Sequence, residues 1–305
     1  MKNKITRIGG VLLLCTILSL STVAQMPTDG FMMPKGNICI VGMYSRDVWN
    51  KYWEGTLKRD NQNIGTMRTN SADGMLAFGI FDKLLFTANV PYIWTNSSRG
   101  HFTGQHGFQD LALGLKWKVV EGHIPGGKLS FQASAVGTIP MSKYVPDFLP
   151  YSIGIQSKTA SLNAIIHYMT DKKIYLTMQW GYVRRDNITI DRAFYYTDRM
   201  HNTNQVFIPD LIVYGAQLGF EHEHFRAEAW ASVQISQAGS DIRPYDMPFP
   251  GNSMSFTKAG LTGKYHFMKV KNLTLTASGG YTFAGRNVGQ SVFYNAGVQY
   301  IIKCY

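Results

Sequence analysis

The stretch Leu273-Thr274-Leu275-Thr276-Ala277-Ser278-Gly279-Gly280-Tyr281-Thr282-Phe283 alternates apolar and small polar residues and ends in aromatic side chains. Successive side chains of a β-strand point to opposite faces, so this alternation gives the strand one apolar and one polar face. In a strand that crosses a membrane, the apolar face meets lipid and the polar face lines a wet interior. The stretch is therefore typical of a membrane-spanning β-strand, and Arg286 lies just beyond it.

The same pattern recurs along the whole chain. Twelve stretches fit it, with these bounds: 37 to 46, 64 to 81, 83 to 96, 107 to 120, 128 to 140, 153 to 168, 173 to 185, 208 to 221, 225 to 236, 254 to 268, 272 to 284 and 289 to 303. The number is even, as in bacterial single-chain barrels. We expect an all-β fold, a closed antiparallel transmembrane β-barrel of about 12 strands.

The connectors between these stretches alternate between short and long. Short connectors are 81 to 83, 121 to 127, 170 to 172, 222 to 224 and 269 to 271; long ones are 47 to 63, 97 to 106, 141 to 152, 186 to 207 and 237 to 253, with a brief last link at 285 to 288. Outer-membrane barrels have short periplasmic turns and longer external loops. A water-soluble sandwich, the rival fold, has no reason to keep this rhythm.

Strand parity also predicts which side chains face lipid. Apolar residues on one parity include Leu111, Leu113, Leu115, Trp117, Phe131, Ile139, Ile174, Leu176, Met178, Trp180, Tyr182, Leu261 and Tyr265. Seven charged residues are predicted on the inner parity and are candidates for lining the lumen: Arg68, Asp110, Lys116, Arg226, Glu228, Lys258 and Lys264. They would either form a selectivity lining or pair with one another across a narrow interior.

The N-terminus predicts export. Residues 1–24 combine a basic start, an apolar stretch and the small-residue site Thr22-Val23-Ala24, which is typical of a secretory signal peptide. A lipid anchor at Cys15 fits less well, since Leu14 stands where a small residue is needed. Residues 25–36 then form an N-terminal segment and residues 37–305 the barrel.

The segment from Met26 to Pro34 holds three methionines and Phe31 without strand alternation. Two interpretations stay open for it. It folds into the lumen as a small plug, or it is a flexible periplasmic tail.

The net charge and the composition limit the classes of binding partner that the sequence predicts. The first 24 residues hold three of the 30 basic residues and no acid, which leaves 27 basic against 19 acidic residues and a net charge of +8. No basic helix or RNA-binding motif accompanies this charge, so nucleic acid is not expected. Lipopolysaccharide phosphates or an anionic solute fit an exported protein better, and a general solubilising role is the alternative.

Cys39 near the start of the first strand and Cys304 near the end of the last would be neighbours in a closed barrel. They form a seam disulfide in the oxidising periplasm, or they remain two thiols on a lipid-facing seam. The run from Asn295 to Ile302 resembles the C-terminal signal read by the barrel-assembly machinery.

Enzymatic and metal sites find little support. No histidine stands beside a serine in a recognisable lipase motif, and His222-Glu223-His224 is typical of a polar turn. The acids of the long loops match no calcium-loop spacing. We therefore expect no catalytic residues, no metal and no cofactor.

Three stretches resemble an outer-membrane transporter family loosely labelled with the meta pathway of phenol degradation: Gly79 to Tyr92, Gly107 to Trp117, and Gly285 to Ser291. Met32 to Gly36 and Tyr52 to Arg59 are also similar to Bacteroidetes proteins of this type. The resemblance implies a barrel that moves small, hydrophobic or aromatic solutes across the outer membrane. A structural or surface-binding barrel without transport is the alternative.

Overall fold

A computed structural model describes residues 27–244, 246–270 and 272–303. Twelve long strands build its main sheet: β1 (Asn37–Trp49), β2 (Met67–Phe81), β3 (Leu84–Ser97), β4 (Asp110–Ile124), β5 (Gly127–Pro140), β6 (Thr159–Thr170), β7 (Ile174–Arg185), β8 (Leu211–Glu221), β9 (Phe225–Ser236), β10 (Ser255–His266), β11 (Leu273–Arg286) and β12 (Val292–Lys303). Each strand pairs antiparallel with its sequence neighbours. No helix in the described ranges is long and apolar enough to cross a membrane.

The sheet closes on itself through its first and last strands. The seam between β1 and β12 runs from the pair Asn37 and Lys303 to the pair Val48 and Val292. Closure leaves no unpaired strand edge. A sheet in lipid must be closed in this way because no water is available there to hydrogen-bond to the backbone of an open edge. The predicted all-β closed barrel of twelve strands is confirmed.

The connectors keep the predicted rhythm. Five turns at one end span residues 82–83, 125–126, 171–173, 222–224 and 267–272, and five long loops at the other end span 50–66, 98–109, 141–158, 186–210 and 237–254, with a short last link at 287–291. The main boundary error is at β6, which was predicted from residue 153 and begins at Thr159. Ile153 instead packs in a loop cluster with Ile93 and Tyr144.

Small hairpins occupy the long loops. Lys51–Glu54 pairs with Leu57–Asp60, Ile188–Thr189 with Gln205–Val206, Tyr195–Tyr196 with Met200–His201, and His106–Phe108 adds to the edge of β3. The long loops therefore form regular secondary structure above the barrel rim.

Side-chain exposure follows the predicted parity on most strands. Leu115, Trp117 and Leu261 point outward, the last with 69% of its surface exposed, while Lys116 between the first two is 0% exposed. Arg68 is the exception. It shares the outward parity of Leu76 on β2, whereas Met67, Met75 and Ala77 face inward, so its predicted place in the lumen is wrong.

Candidate transport lumen

Residues 27–34, here called the inserted segment, lie inside the barrel at its short-turn end. The segment continues into the barrel wall through Gly36, whose amide donates to the carbonyl of Gly79 at 2.8 Å. The Lys35 amide donates to the Asp82 carboxylate in the first short turn at 3.1 Å. The structure thus places the segment against inward-facing residues of the barrel, and its role as a plug stays a prediction.

An ion pair holds the middle of the inserted segment. The Lys116 ammonium lies 2.8 Å from Asp29 Oδ1, and it also donates to the backbone carbonyls of Asp29 at 2.5 Å and Phe31 at 2.9 Å. The Gln132 amide on β5 donates to the Gly30 carbonyl at 2.7 Å. A fully buried lysine is tolerated only when its charge is paired and its donors are satisfied, as they are here.

Aromatic packing holds the same segment from the opposite wall. The Arg226 guanidinium on β9 lies 3.6 Å from the ring centroid of Phe31, and the rings of His167 and Tyr175 contact Phe31 edgewise at 4.9 and 5.1 Å. A cation this close to a ring face and shielded from water is strongly attracted to it. Arg226 is 2% exposed and also pairs with Glu221 at 2.7 Å.

Gly30 makes this close approach possible. A Cβ atom at this position would fall 1.9 Å from Nδ1 of His167, so any other residue would push the segment away from β6. His167 is itself fixed by a hydrogen bond of 2.8 Å to the Thr177 hydroxyl.

Met33 closes the segment with an apolar contact at the seam. It packs with Cys39, Val41, Ala77, Leu85 and Ile301, which come from the first three strands and the last. Cys39 thus faces the interior and not the lipid. Cys304 lies outside the described residues, so its pairing with Cys39 stays a prediction.

The lumen between the inserted segment and the long-loop end is lined by amides, charges and aromatic rings. Lys258 lies 3.9 Å from Asp47 and 5.8 Å from the ring of Phe293, which in turn packs against Trp230 at 5.4 Å. Several buried side-chain oxygens on the inner parity have no hydrogen-bond partner among the described residues: Asn89 Oδ1, Gln179 Oε1, Gln217 Oε1 and Asn295 Oδ1. Such a lining offers hydrogen bonds to water or to a solute.

At the long-loop end, three loops interlock with Asn287 at their centre. Its side-chain oxygen accepts from the amides of Gly55 at 2.8 Å and Ile242 at 3.0 Å, and its side-chain nitrogen donates to Asp241 and to the Ser253 carbonyl at 2.8 Å each. Asn287 is 2% exposed and has a left-handed backbone with a φ of 55°. One side chain therefore joins the loops 50–66, 237–254 and 287–291.

Further contacts strengthen this cap of loops. Arg286 binds both oxygens of the Asp241 carboxylate at 2.7 and 2.8 Å, which holds the pKa of that carboxyl below its usual range. The Tyr144 hydroxyl donates to Asp110 at 2.8 Å. The Thr95 hydroxyl donates to the Tyr151 carbonyl at 2.6 Å. The cap is thus tied to the inner wall of β3 and β4.

Six of the seven charged residues predicted for the lumen lie on the inner parity. Lys116 binds the inserted segment, Lys258 lies near Asp47, and Asp110 binds the cap. Arg226 pairs with Glu221, while Glu228 accepts a hydrogen bond of 2.6 Å from Tyr175. Lys264 lies directly opposite Arg226 in the register of β9 and β10. Their role in selectivity stays a prediction, since several are engaged in structural contacts.

Several residues of the site were not predicted from the sequence, namely Asp29, His167, Tyr175 and Asn287. Asp29 lies 87 positions from Lys116 in the chain, so no local pattern signals their contact. Within the described ranges, no group of three or more histidines, cysteines and acids is placed to hold a metal ion.

Comparisons with known proteins support the fold. No family model and no curated protein matches the chain. The crystal structure of an outer-membrane channel from Pseudomonas putida F1 superposes with a TM-score of 0.67 at 15% identity, covering 92% of this chain and 100% of that one. The chain has the fold of an outer-membrane β-barrel.

Two more distant structures are also similar. The translocator domain of the autotransporter NalP from Neisseria meningitidis has a TM-score of 0.45 at 11% identity over 90% of each chain. The Pseudomonas putida toluene transporter TodX has a TM-score of 0.40 at 12% identity, again over 90% of each chain.

Proposed function

We propose that this protein is an outer-membrane channel for small solutes, with the inserted segment as the closure of its periplasmic mouth. The observation that carries the proposal is the seating of residues 27–34 inside a polar-lined barrel by a few specific contacts, chief among them the Lys116–Asp29 ion pair of 2.8 Å. Similarity of fold to a known outer-membrane channel supports it.

The solutes we propose are small and hydrophobic or aromatic. Trp230 and Phe293 present rings to the lumen beside the Lys258 cation, and aromatic rings stack favourably with one another. Unpartnered amide oxygens beside them would orient a hydroxyl or carboxyl group on such a solute. The sequence resemblance to the family labelled with phenol degradation points to the same class.

Placement and partners belong to the same proposal. Export through the signal peptide, assembly by the barrel-assembly machinery and contact with lipopolysaccharide are what an outer-membrane barrel requires. The protein has no catalytic role in this proposal. A lipase would show hydrolysis that disappears when one serine is changed.

Conductance of the purified protein in planar bilayers tests the channel. Deleting residues 27–34 should raise conductance strongly, because the deletion removes the ion pair, the Phe31 packing and the Met33 contact together. The matched control keeps the chain length and replaces these eight residues by a Gly-Ser linker of the same length. We expect the control to conduct like the deletion, since the linker lacks all three contacts.

Reversal potentials with benzoate, hexanoate and gluconate in turn test the solute class. Preference for benzoate over hexanoate supports aromatic selection, and preference for both over gluconate supports hydrophobic selection alone. A silent bilayer with the deletion variant, together with no uptake of phenolic or fatty solutes, would favour the alternative, a structural or surface-binding barrel. The observation that favours this second function is that the inserted segment lies in the lumen while the long loops interlock at the other end.

A further inference from the structure

Two glycines lie side by side in the barrel wall between the two aromatic residues of the lumen. Across β9, β10, β11 and β12, the cross-strand register places four residues directly opposite one another in a single row: Trp230, Gly260, Gly280 and Phe293. All four stand on the inner parity of their strands. The row therefore crosses four neighbouring strands on the lumen side of the wall.

The two glycines allow the Trp230 indole to lie flat against the wall. A Cβ atom at Gly260 would fall 2.4 Å from Cζ2 of Trp230, and one at Gly280 would fall 2.8 Å from Cη2 of the same indole. The Cβ atom at Gly280 would also fall 2.6 Å from Cε1 of Phe293. Non-bonded carbon atoms pack at about 3.5 Å or more, so a side chain at either position would lift the rings away from the wall.

The rings of Trp230 and Phe293 together form a surface, here called the aromatic platform. Their centroids are 5.4 Å apart and their planes are inclined by 39°. Both side chains face the inside of the barrel and are only partly buried, so the platform is accessible from the lumen. An aromatic ring that packs on such a surface gains stabilisation beyond the burial of its area.

A cation borders the platform on its long-loop side. Lys258 stands two residues before Gly260 on β10, on the same inner parity. Its ammonium lies 5.8 Å from the ring centroid of Phe293 and 3.9 Å from the carboxylate of Asp47, which is too long for a hydrogen bond. Among the described residues, this ammonium donates no hydrogen bond. Its donors are therefore available to a bound anion.

The platform and the cation recognise different parts of a solute. A neutral aromatic molecule packs on the rings but brings no charge to the ammonium. An aliphatic acid brings the charge but has no aromatic face for the rings. An aromatic carboxylate uses both, because its ring packs on the platform while its carboxylate accepts a charge-assisted hydrogen bond.

We propose that the aromatic platform and Lys258 form a binding site for one aromatic carboxylate in the lumen. The ring of the solute packs on Trp230 and Phe293, and its carboxylate accepts a hydrogen bond from the Lys258 ammonium. Gly260 and Gly280 set the position of the platform by letting the indole reach across β10. The site rests on the proposed channel function and narrows its solute class from aromatic molecules in general to aromatic anions.

Isothermal titration calorimetry of the full barrel in nanodiscs of neutral phospholipid tests the site, with empty nanodiscs as the background. Three probes separate the ring from the charge. Benzoate carries both, benzamide carries the ring without the charge, and cyclohexanecarboxylate carries the charge without an aromatic face. We expect benzoate to bind about tenfold more tightly than benzamide and about fivefold more tightly than cyclohexanecarboxylate.

Two variants should lose these preferences crosswise. Trp230→Leu should abolish the preference for benzoate over cyclohexanecarboxylate and keep most of the preference over benzamide, whereas Lys258→Met should do the opposite. The matched controls are Trp180→Leu, which removes an indole from the lipid-facing side, and Lys172→Met, which removes an exposed cation from a short turn. Both controls should keep both preferences. Damage to the fold would instead lower the affinity for all three probes alike.

Equal affinities of the unchanged protein for the three probes, or no binding of benzoate, would overturn the site. Loss of both preferences together in Trp230→Leu or in Lys258→Met would overturn it as well. The conductance measurement decides the channel separately. A barrel that conducts without preference among the probes retains the channel and loses the site, and a barrel that shows both preferences but never conducts loses the channel.

Discussion

The two ends of the barrel are built in different ways. At the short-turn end, one segment of eight residues fills the opening and is held through Lys116, Arg226 and the seam cluster around Met33. At the long-loop end, several loops interlock around Asn287, and apolar clusters join loop 50–66 to loop 141–158 and loop 237–254 to loop 186–210. The first closure is a single removable unit, and the second is distributed.

This difference indicates which end can open. The inserted segment is held in one place by the Lys116 and Gln132 hydrogen bonds, the Phe31 packing and the Met33 contact. It can therefore leave as a unit, and its seated and released states form a two-state equilibrium. Opening the distributed cap requires breaking several hydrogen bonds in separate loops at once. We therefore assign gating to the short-turn end and selection of what reaches the lumen to the long-loop end.

The largest effect is expected from Asp29→Ala. This change leaves the Lys116 ammonium buried beside an apolar methyl group, and removing one partner of a buried ion pair costs about 3 kcal/mol, or about a hundredfold in the seated-to-released ratio. The open probability in planar bilayers should rise accordingly. Asp29→Ala combined with Lys116→Met removes both charges and should restore much of the closure. Closure unchanged in Asp29→Ala would mean that the ion pair does not hold the segment.

Asn287→Gly should loosen the other end by about 2 kcal/mol. Glycine adopts the left-handed backbone of this position without strain, so only the side-chain hydrogen bonds are lost and two buried amides lose their acceptor. Limited proteolysis within residues 50–66 and 237–254 should accelerate, while the open probability stays the same. Asn287→Asp keeps the accepting oxygen but places a second carboxylate against Asp241, so it should loosen the same loops. A rise in open probability would contradict the separation of the two ends.

Phe31→Leu should weaken the seat of the inserted segment by about 1 kcal/mol, or about fivefold. Leucine keeps most of the apolar volume but offers Arg226 no ring face. Phe31→Tyr retains the ring and should close like the unchanged protein. Single-channel recordings of both variants make the comparison, and equal open probabilities for leucine and tyrosine would show that the ring face contributes nothing.

Acid should have the smallest effect, through Asp241. Arg286 keeps the folded-state pKa of this carboxyl below its unfolded value, so the pair stabilises the cap above the unfolded pKa and that stabilisation is lost as the pH falls through the folded pKa. Both side chains are nearly half exposed, which limits the effect to well under about 1 kcal/mol. The fluorescence of Trp53, taken as the difference from a Trp53→Phe variant, should report the loosening of the loops as the pH is lowered from about 5 through the folded-state pKa of Asp241. Asp241→Asn should abolish this pH dependence; if the dependence persists, another group is responsible.

The architecture was largely predictable because a membrane wall imposes a strict rule on each strand. Strand number, connector rhythm and the facing of residues such as Trp117 follow from a period of two with lipid on one side. Arg68 was assigned to the wrong side because β2 lacks this period. Met67, Met75 and Ala77 are apolar on the inner parity as well, since they contact the loop cluster or the cluster around Met33.

The closures themselves were not predictable in detail. The plug was one of two interpretations of the N-terminal segment, and nothing in that segment pointed to Lys116 or Arg226 as its partners. Their contacts join residues far apart in the chain and depend on the barrel having closed. The role of Asn287 likewise arises from three loops that meet only in the folded protein.

The seam cluster around Met33 has a consequence for the order of assembly. Met33 packs at once on Cys39 from the first strand and Ile301 from the last, while Asp29 needs Lys116 from the fourth. These partners come together only after the final strand has joined the first. Asp29 and Met33 are synthesised before their partners on the strands, yet they are among the last residues to reach their native contacts. The inserted segment therefore cannot take its place in the lumen until the barrel has closed.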